Sequence, residues 1–539
     1  MNFTIALTAL IAATTALRLL AAATLGLGND EAYHFLYAVH PAASYFDHPP
    51  MIAWVERLGL ALAGPFSALG LRLGFVALAA GSTWLVARIA RRWRGDSAGL
   101  FAALALNLSG YYGLAVGAFA LPDGPLLFFW LLTLDRIDLA LQRPERLRNW
   151  LAVGLAWGLA MCCKYHAVFL PAGVVLYLLV RPERRRLLVS PGPWLAVALG
   201  LSVFSPVLVW NAENGWASFV FQGKRARVGL TPRPDLLLAA IAAQAAYLFP
   251  WIWLPLMIVG GRLARRWRAI DEHARFALCL SVPPLALFTA VACFRPVLPH
   301  WGLVGVIPLF PELGRVLADR ARLDPARTRR RVAFASAFSV ALLAVTIAEY
   351  RWGWLQRGSD GKGFGVLTAR IDPTAEAYGW DQVARRLDRL GVLDDPRTFL
   401  FTDNWFQSAH LAHATRLRRP VTCYNLDDAR GFAFWSEPDD WLGRDGVLVV
   451  VNDANVPFSF HERWFRGFEA LDDFEVERAG KPIRRVRIYR MNDQVVAFPF
   501  RYPPEDQAPR ERLREELRGL ARVKSPPPAV GARRGVVRR

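Results

Sequence analysis

A series of apolar runs, each long enough to cross a lipid bilayer, extends from residue 3 to about residue 350 and restricts what this chain can fold into. A helix needs about 20 apolar residues to span the hydrocarbon core of a membrane. Eleven apolar runs are interpreted as spans, at approximately 3–27, 67–90, 97–117, 122–141, 149–162, 165–180, 193–211, 236–260, 274–294, 299–318 and 331–350. Lys164 separates the short fifth and sixth runs, which are also compatible with one bent segment. The pattern predicts an α-helical polytopic membrane protein.

The positive charge of the chain is best explained by membrane topology. The formal net charge is +20, and arginines are concentrated in alternate short loops, at 91–94, 143–148, 181–186, 262–268 and 320–331. Because basic loops face the cytoplasm, the loops 28–66 and 212–235, the turn 295–300 and everything after residue 350 are predicted to lie on the outer side. Nucleic acid is therefore not an expected partner. The outer loop 212–235 is itself basic, which is compatible with anion binding or with tolerated charge.

Three regions are predicted along the chain. Residues 1–350 form the membrane domain with its outer loop 28–66, and residues 351–504 form a soluble α/β domain. In the second region, strands at 397–402 and 446–451 flank a helix at 404–417, and this order predicts a parallel unit. The basic tail 505–539 contains three consecutive prolines and almost no aromatic residues, so disorder is predicted for it.

Ionisable residues are concentrated in the first outer loop, where the chain leaves the membrane. These residues are Asp30, Glu31, His34, His40, Asp47 and His48. Asn29 is predicted to cap a helix from Asp30 to about His40, and acids in its first turn would be favoured by the helix dipole. Two prolines fix the backbone directly after Asp47 and His48. Charged groups at a membrane boundary are costly, so chemistry is the preferred interpretation, and a surface helix with acidic first-turn residues is the structural alternative.

These residues resemble a known loop. The run Asp30-Glu31-Ala32-Tyr33, followed by Tyr45-Phe46-Asp47-His48-Pro49-Pro50, resembles the first outer loop of GT-C-fold membrane glycosyltransferases. The family-39-like group is the most similar, and it includes protein O-mannosyltransferases and the transferases that attach aminoarabinose or related sugars to lipid A. Further resemblances are Leu121-Pro122-Asp123-Gly124-Pro125, Lys164-Tyr165, the stretch 210–222, Pro299-His300-Trp301, and the stretches 402–404 and 423–426.

The resemblance implies transfer of a sugar from a polyprenyl-phosphate carrier to an acceptor on the outer face, with inversion. Asp30 would be the general base, Glu31 and Asp47 would orient the site or bind a metal, and cations would hold the phosphate. Asp47-His48 stands where the aminoarabinose transferases have a Glu-Lys pair, and histidine is the weaker cation, so a divalent metal is left open as a cofactor. The candidate catalytic residues are Asp30, Glu31 and Asp123, and the candidate substrate-binding residues are Tyr33, Asp47, His48, Lys164, Arg225, Arg295 and His300.

The chemistry is consistent with this reading. A sugar phosphodiester already carries its leaving group, and no dinucleotide or P-loop motif occurs in a strand-turn-helix context. Inverting displacement needs a carboxylate on one side of the sugar and positive charge at the departing phosphate. The expected enzyme is therefore a polyprenyl-phosphate-sugar-dependent glycosyltransferase of the bacterial inner membrane, with a lipid or glycan acceptor related to lipid A and a periplasmic C-terminal domain.

Several alternatives stay open at this point. Asp123 could cap the fourth span, Lys164 could extend to the membrane interface, His300 could cap the tenth span, and Arg295 could be an interface anchor. The rival functions are protein O-mannosyl transfer and, in another class, transport of a lipid-linked sugar. A transporter would be expected to show repeated halves with broken helices, and no internal repeat is found.

Overall fold

A computed structural model of the chain describes residues 2–226, 229, 231–357, 365–368, 371–437, 439–452 and 458–499, with the backbone alone for 224–226 and 458. The predicted tail 505–539 lies outside these residues. The chain forms two compact units. Unit 1 comprises Met1–Thr24 and Pro41–Ala344, and unit 2 comprises Leu25–His40 and Val345–Arg539. The first outer loop is thus divided, since its residues 28–40 belong to unit 2.

The helices and strands are given in chain order. The helices are α1 (Phe3–Thr24), α2 (Asn29–Val39), α3 (Met51–Ala63), α4 (Ala68–Arg94), α5 (Asp96–Asn107), α6 (Val116–Ala118), α7 (Asp123–Gln142), α8 (Leu147–Cys163), α9 (Phe169–Val180), α10 (Pro191–Glu213), α11 (Ala217–Ala226), α12 (Pro234–Leu248), α13 (Pro250–Arg265), α14 (Glu272–Ala292), α15 (Pro299–Leu303), α16 (Phe310–Leu323), α17 (Pro325–Trp352), α18 (Trp380–Arg389), α19 (Trp405–Ala414), α20 (Phe432–Trp435) and α21 (Phe458–His461). The strands are β1 (Thr398–Thr402), β2 (Val421–Cys423), β3 (Asp445–Val451), β4 (Phe465–Arg478) and β5 (Lys481–Gln494).

Unit 1 is helical and carries the membrane-spanning segments. Within the described residues, six helices are long and apolar enough to cross a membrane, or up to eight when each bent pair is counted as one span. The predicted run 97–117 is bent by 83° after α5, and the run 236–260 is bent by 115° between α12 and α13. Pro250 explains the second bend, because the residue before a proline is disfavoured in helical conformation. The multi-pass architecture is confirmed, and the number eleven stays a prediction.

Charged residues interrupt the predicted spans that correspond to α7, α8 and α9. α8 and α9 are separate helices on either side of Lys164, and both are shorter than the helices counted as long enough to cross a membrane, so the reading as two spans stays a prediction. Lys164 lies at the break in an extended conformation, with φ −163° and ψ 141°. α7 has 20 residues but includes Asp123, Asp135, Arg136 and Asp138, and it is not among the helices counted as apolar enough to cross a membrane.

Unit 2 is built on a five-stranded sheet in the order β2-β1-β3-β5-β4. β1 pairs in parallel with β2 and with β3, which confirms the predicted strand–helix–strand unit around α19. β5 pairs antiparallel with β3 and β4, and this long hairpin was not predicted. The core on one side of the sheet includes Val383, Leu387, Leu400 and Val447, none of which is exposed.

Candidate active site

The ion pair of Lys164 and Asp123 is the centre of a polar cluster in unit 1. Lys164 Nζ lies 2.8 Å from Oδ2 and 3.0 Å from Oδ1 of the Asp123 carboxylate. Both residues are 6% exposed. Removing an ammonium from water costs several kcal/mol, which only a close and well-oriented partner offsets. The pairing therefore allows a positive charge to persist inside the helical unit.

Local backbone structure directs both side chains inward. The helix break after α8 leaves Lys164 extended, with its N–H donating to the Ala160 carbonyl at 3.2 Å. Its burial is inconsistent with the alternative that it extends to the membrane interface. Asp123 is the first residue of α7, where Pro122 is the N-cap and no side-chain cap bond forms. Its carboxylate serves Lys164 and does not cap α7.

Two histidines and a tyrosine surround this pair. The imidazoles of His166 and His300 lie within electrostatic range of the Asp123 carboxylate. His300 stacks on Tyr111 at 5.7 Å between ring centroids with an interplanar angle of 19°, and the Tyr111 phenol also interacts with Asp123. His300 makes no side-chain cap bond for α15, so its predicted alternative role as a cap is not observed.

His166 and Tyr111 are members of this cluster that were not among the predicted site residues. Tyr111 lies in the π-helical segment Gly110–Ala115, directly after the bend that follows α5. Such segments recur at functional sites of proteins. The signal in the sequence was the polar aromatic pair Tyr111-Tyr112 between two glycines, inside an otherwise apolar run.

The second half of the outer loop is held by α11 within unit 1. The Ser218 hydroxyl donates to the Tyr45 carbonyl at 2.9 Å, and the Gln222 side-chain amide donates to the Asp47 carbonyl at 2.9 Å. Asp47 is buried and within electrostatic range of Tyr165, while His48 is within range of His166. The structure therefore brings Asp47 and His48 towards the chain segment that carries Lys164.

The first turn of α2 forms a separate polar group in unit 2. Asp30 is exposed there, and the Glu31 carboxylate accepts from the Gly28 N–H at 3.0 Å. Gly28 is the N-cap residue, so the prediction that Asn29 caps this helix is wrong. Glu31 satisfies the free backbone donor, which leaves the Asn29 side chain available for other contacts.

Asn29 instead connects α2 to the rest of unit 2. Its amide nitrogen donates to Glu376 Oε2 at 2.7 Å, and its Oδ1 lies 3.1 Å from His410 Nε2. Since the amide nitrogen donates to Glu376, the oxygen is the acceptor and His410 donates from Nε2. Partial burial raises the pKa of Glu376, and the nearby carboxylates of Asp30 and Glu31 raise it further.

Tyr33 is buried inside unit 2. Its hydroxyl accepts from the Gly431 N–H at 2.9 Å, and its ring lies 5.0 Å from that of Trp405. The Arg430 guanidinium lies 3.6 Å from the Trp405 ring centroid. The structure shows a packing role for Tyr33, and its contact with substrate stays a prediction.

The remaining candidates are less well defined. Arg295 lies half-buried in the turn after α14, with its backbone N–H donating to the Val291 carbonyl at 3.1 Å. The side chain of Arg225 lies outside the described part of the chain. In that described part, no group of three or more His, Cys, Asp or Glu side chains is arranged to hold a metal ion.

Comparison with known proteins gives three kinds of relative. The family model described as dolichyl-phosphate-mannose-protein mannosyltransferase matches residues 47–210. Lipid A galacturonosyltransferase RgtD of Rhizobium johnstonii is 26% identical over 283 residues, covering 52% of this chain and 58% of that protein. Undecaprenyl phosphate-alpha-4-amino-4-deoxy-L-arabinose arabinosyl transferase 2 of Pseudomonas fluorescens is 28% identical over 310 residues, covering 56% and 54%. The chain thus matches less than two thirds of the length of these curated relatives.

A solved structure matches over nearly its whole length. ArnT from Cupriavidus metallidurans in the apo state has a TM-score of 0.58 at 18% identity, covering 89% of this chain and 97% of that chain. The chain has the GT-C fold. The GT-C fold predicted from the first outer loop is thereby confirmed, with its helical membrane part and its C-terminal α/β part. The same ArnT has also been solved bound to undecaprenyl phosphate, where its TM-score with this chain is 0.56.

Proposed function

We propose that this protein is a glycosyltransferase that moves a sugar from a polyprenyl-phosphate donor to a lipid or glycan acceptor related to lipid A. The reaction would take place on the periplasmic face of the bacterial inner membrane. The observation that carries the proposal is the buried Lys164–Asp123 pair, surrounded by His166, His300 and Tyr111, within a GT-C fold. The relatives support it, because their names include lipid A and undecaprenyl phosphate.

Lys164 is the group that we assign to the donor phosphate. A lysine ammonium binds phosphate as a compact charge with three N–H donors. The Asp123 carboxylate pairs with this ammonium at 2.8 Å, and His48 and His300 add further hydrogen-bond donors. We further assign Arg225 and Arg295 to the phosphate as additional cations, and Asp47 to orientation of the loop that precedes His48.

The reaction that follows is a single displacement. The acceptor hydroxyl oxygen forms a bond to C1 of the sugar while the bond from C1 to the phosphate oxygen breaks, and the configuration at C1 inverts. Polyprenyl phosphate departs with the bonding electron pair, and its charge is stabilised by Lys164. The hydroxyl proton passes to the Asp30 carboxylate. Glu31 supports this base indirectly, because its bond to Gly28 fixes the first turn of α2.

Asp30→Asn tests the assignment of the general base. A positioned base contributes roughly 10²–10⁴-fold to rate, so the variant is expected to lose at least about 100-fold of kcat with undecaprenyl-phosphate sugar as donor. Because Asp30 is exposed, the melting temperature of the Asp30→Asn variant in detergent is expected to equal that of the parent protein. The readout is product mass from the purified full chain with lipid A as acceptor.

Asp381→Asn is the matched control, since Asp381 is also an exposed aspartate in the first turn of a helix of unit 2. It is expected to retain full activity. Full activity in Asp30→Asn, or an equal loss in both variants, would remove Asp30 from the mechanism. Turnover in detergent also argues against a transporter, because transport needs a sealed membrane and transfer does not.

Protein O-mannosyl transfer is the second candidate, favoured by the description of the family model that matches residues 47–210. The two candidates differ in acceptor. Incubation of the purified protein with donor and either lipid A or a serine- and threonine-rich peptide separates them. Glycosylation of the peptide alone would replace the lipid acceptor in our proposal.

A further inference from the structure

A cavity of about 670 Å³ lies in unit 1 between α5, α13, α16 and the first turns of α17. Ligand pockets of proteins typically occupy about 300–1,000 Å³. One part of the wall is apolar and includes Phe101, Leu104 and Trp251. Another part is formed by four arginines, which are Arg320, Arg327, Arg330 and Arg331. The cavity is therefore amphipathic, with a cationic end and an apolar end.

The four arginines are not neutralised by neighbouring acids. In the described part of the chain, no ion pair involves any of them. Asp324, the acid that shares the cavity wall, accepts from the Arg327 backbone N–H at 2.9 Å and so caps α17. Asp319 pairs with Arg322 at 3.3 Å, outside the cavity. The charge of the cationic end is thus available to an anion.

The segment 320–331 is one of the basic loops predicted to face the cytoplasm. The positive-inside rule accounts for arginines in such a loop but not for their position around one cavity. Basic pockets between helices on this side of a membrane bind the head groups of anionic lipids. Guanidinium groups suit phosphate oxygens because they offer several N–H donors in one plane.

We propose that this cavity binds an anionic phospholipid, with its phosphate on the arginines and part of an acyl chain along Phe101, Leu104 and Trp251. Both ends of the cavity are needed for this ligand. A neutral lipid would leave four cations without a partner, and a free phosphate would leave the apolar wall in contact with water. The site is separate from the polar cluster around Lys164 and does not depend on the proposed transferase activity.

The test compares two lipids of equal chain length on the purified full chain by native mass spectrometry in detergent. Phosphatidylglycerol is expected to be retained, and phosphatidylethanolamine, which has no net charge, is not. The double variant Arg327→Gln/Arg331→Gln is expected to weaken phosphatidylglycerol binding by about tenfold or more, since each basic residue near an anionic lipid contributes about 1 kcal/mol.

Arg322→Gln/Arg329→Gln is the matched control, because it removes the same charge from the same segment at residues that do not line the cavity. It is expected to bind phosphatidylglycerol as the parent does. Equal retention of both lipids, or equal loss in the two double variants, would overturn the proposal. Equal loss in the two double variants would mean that the overall charge of the segment, and not the cavity, explains lipid binding.

Two further arms distinguish a lipid site from a phosphate site. Leu104→Trp fills the apolar end and is expected to reduce phosphatidylglycerol binding with the arginines intact. Glycerol 3-phosphate and inorganic phosphate, at concentrations equal to that of the lipid, are expected not to displace phosphatidylglycerol. Displacement by either, with no effect of Leu104→Trp, would contradict the lipid and indicate a soluble phosphate ligand.

Discussion

Arg478 in unit 2 and Lys164 in unit 1 are both cations withdrawn from solvent, yet their partners differ in number and kind. Arg478 has no exposed surface. Its guanidinium donates to Glu349 Oε1 at 3.1 Å, to Thr374 Oγ1 at 2.8 Å and to Gln356 Oε1 at 2.8 Å, and it also binds the Asp372 carboxylate. The N–H donors of its planar guanidinium are bound by protein groups, so Arg478 is suited to stabilising unit 2 and not to binding a ligand.

Lys164 is less completely satisfied. Within the described residues, its ammonium has hydrogen bonds only to the two oxygens of Asp123, so one of its three N–H donors stays open. Its other neighbours are imidazoles and a phenol, which can change their hydrogen bonding when a ligand enters. The comparison indicates that a buried cation belongs to a functional site when it has donors left over and titratable neighbours.

Removal of Lys164 is expected to have the largest effect. Lys164→Met leaves the buried Asp123 carboxylate without its cationic partner, which costs about 3–5 kcal/mol of unfolding free energy, and it removes the proposed phosphate ligand. The double variant Lys164→Met/Asp123→Leu is expected to recover most of the stability, since replacing a buried ion pair by apolar groups is often neutral. Transfer is expected to stay abolished.

Thermal unfolding and turnover, measured on the same preparations, check this cycle. If the double variant recovers activity together with stability, the pair is structural, like the cluster of Arg478. The comparison between the two cations would then fail.

Arg478→Met gives the opposite pattern. Loss of one partner from its buried cluster is expected to cost about 3–5 kcal/mol of unfolding free energy, while kcat per folded molecule stays near the parent value. Arg485→Met is the control, because Arg485 forms an exposed pair with Asp473 in the same hairpin and should cost about 1 kcal/mol or less. A selective loss of kcat in Arg478→Met at full folding would assign this cluster to catalysis.

The features that could be predicted from the sequence are those that follow from local patterns, and the two units differ in how many such patterns they contain. Apolar run length and arginine position identified the helical unit, because both follow directly from the thickness and charge asymmetry of a membrane. Asp123, Lys164 and His300 were identified as candidates from short motifs, and the structure brings them together in one cluster. The strands β1 and β3 were predicted because buried parallel strands are continuous apolar runs.

The features that were missed depend on long-range contacts. β5 carries Arg484, Arg485, Arg487 and Arg490, and its strand character comes from pairing with β3 and β4. Asn29 matches the composition of an N-cap, but its contacts with Glu376 and His410 are 347 and 381 residues away in sequence. No local pattern contains the partners of such residues.

His410 of unit 2 predicts a pH dependence of the stability of the protein. Burial lowers the pKa of His410 well below its usual value, so the folded state holds the neutral ring. The unfolded state takes up a proton below about pH 6.5, and stability is therefore expected to fall as pH decreases through this value. The slope approaches about 1.4 kcal/mol per pH unit for one such group.

His410→Gln is expected to remove part of this slope between pH 6.5 and 5 in thermal unfolding of the full chain. Part of the slope remains because burial also lowers the pKa of His40, and that of His461 to about 3, and these two act in the same direction. An unchanged slope in the variant would show that His410 does not titrate between the two states.

Ser218→Ala is expected to have the smallest effect. It tests whether the uncharged hydrogen bond from Ser218 to the outer loop contributes to donor binding. The Ser218 hydroxyl donates to the Tyr45 carbonyl across two segments of unit 1, so its loss is expected to cost about 1 kcal/mol. Ser339→Ala is the matched control, since that buried hydroxyl bonds the Ala335 carbonyl of its own helix. If the loop 45–48 positions His48 for the donor, Ser218→Ala raises KM for the donor several-fold and Ser339→Ala does not. Equal KM values in the two variants would mean that the backbone from Tyr45 to His48 is held without this bond, by the contact of Gln222 with the Asp47 carbonyl and by the burial of Asp47.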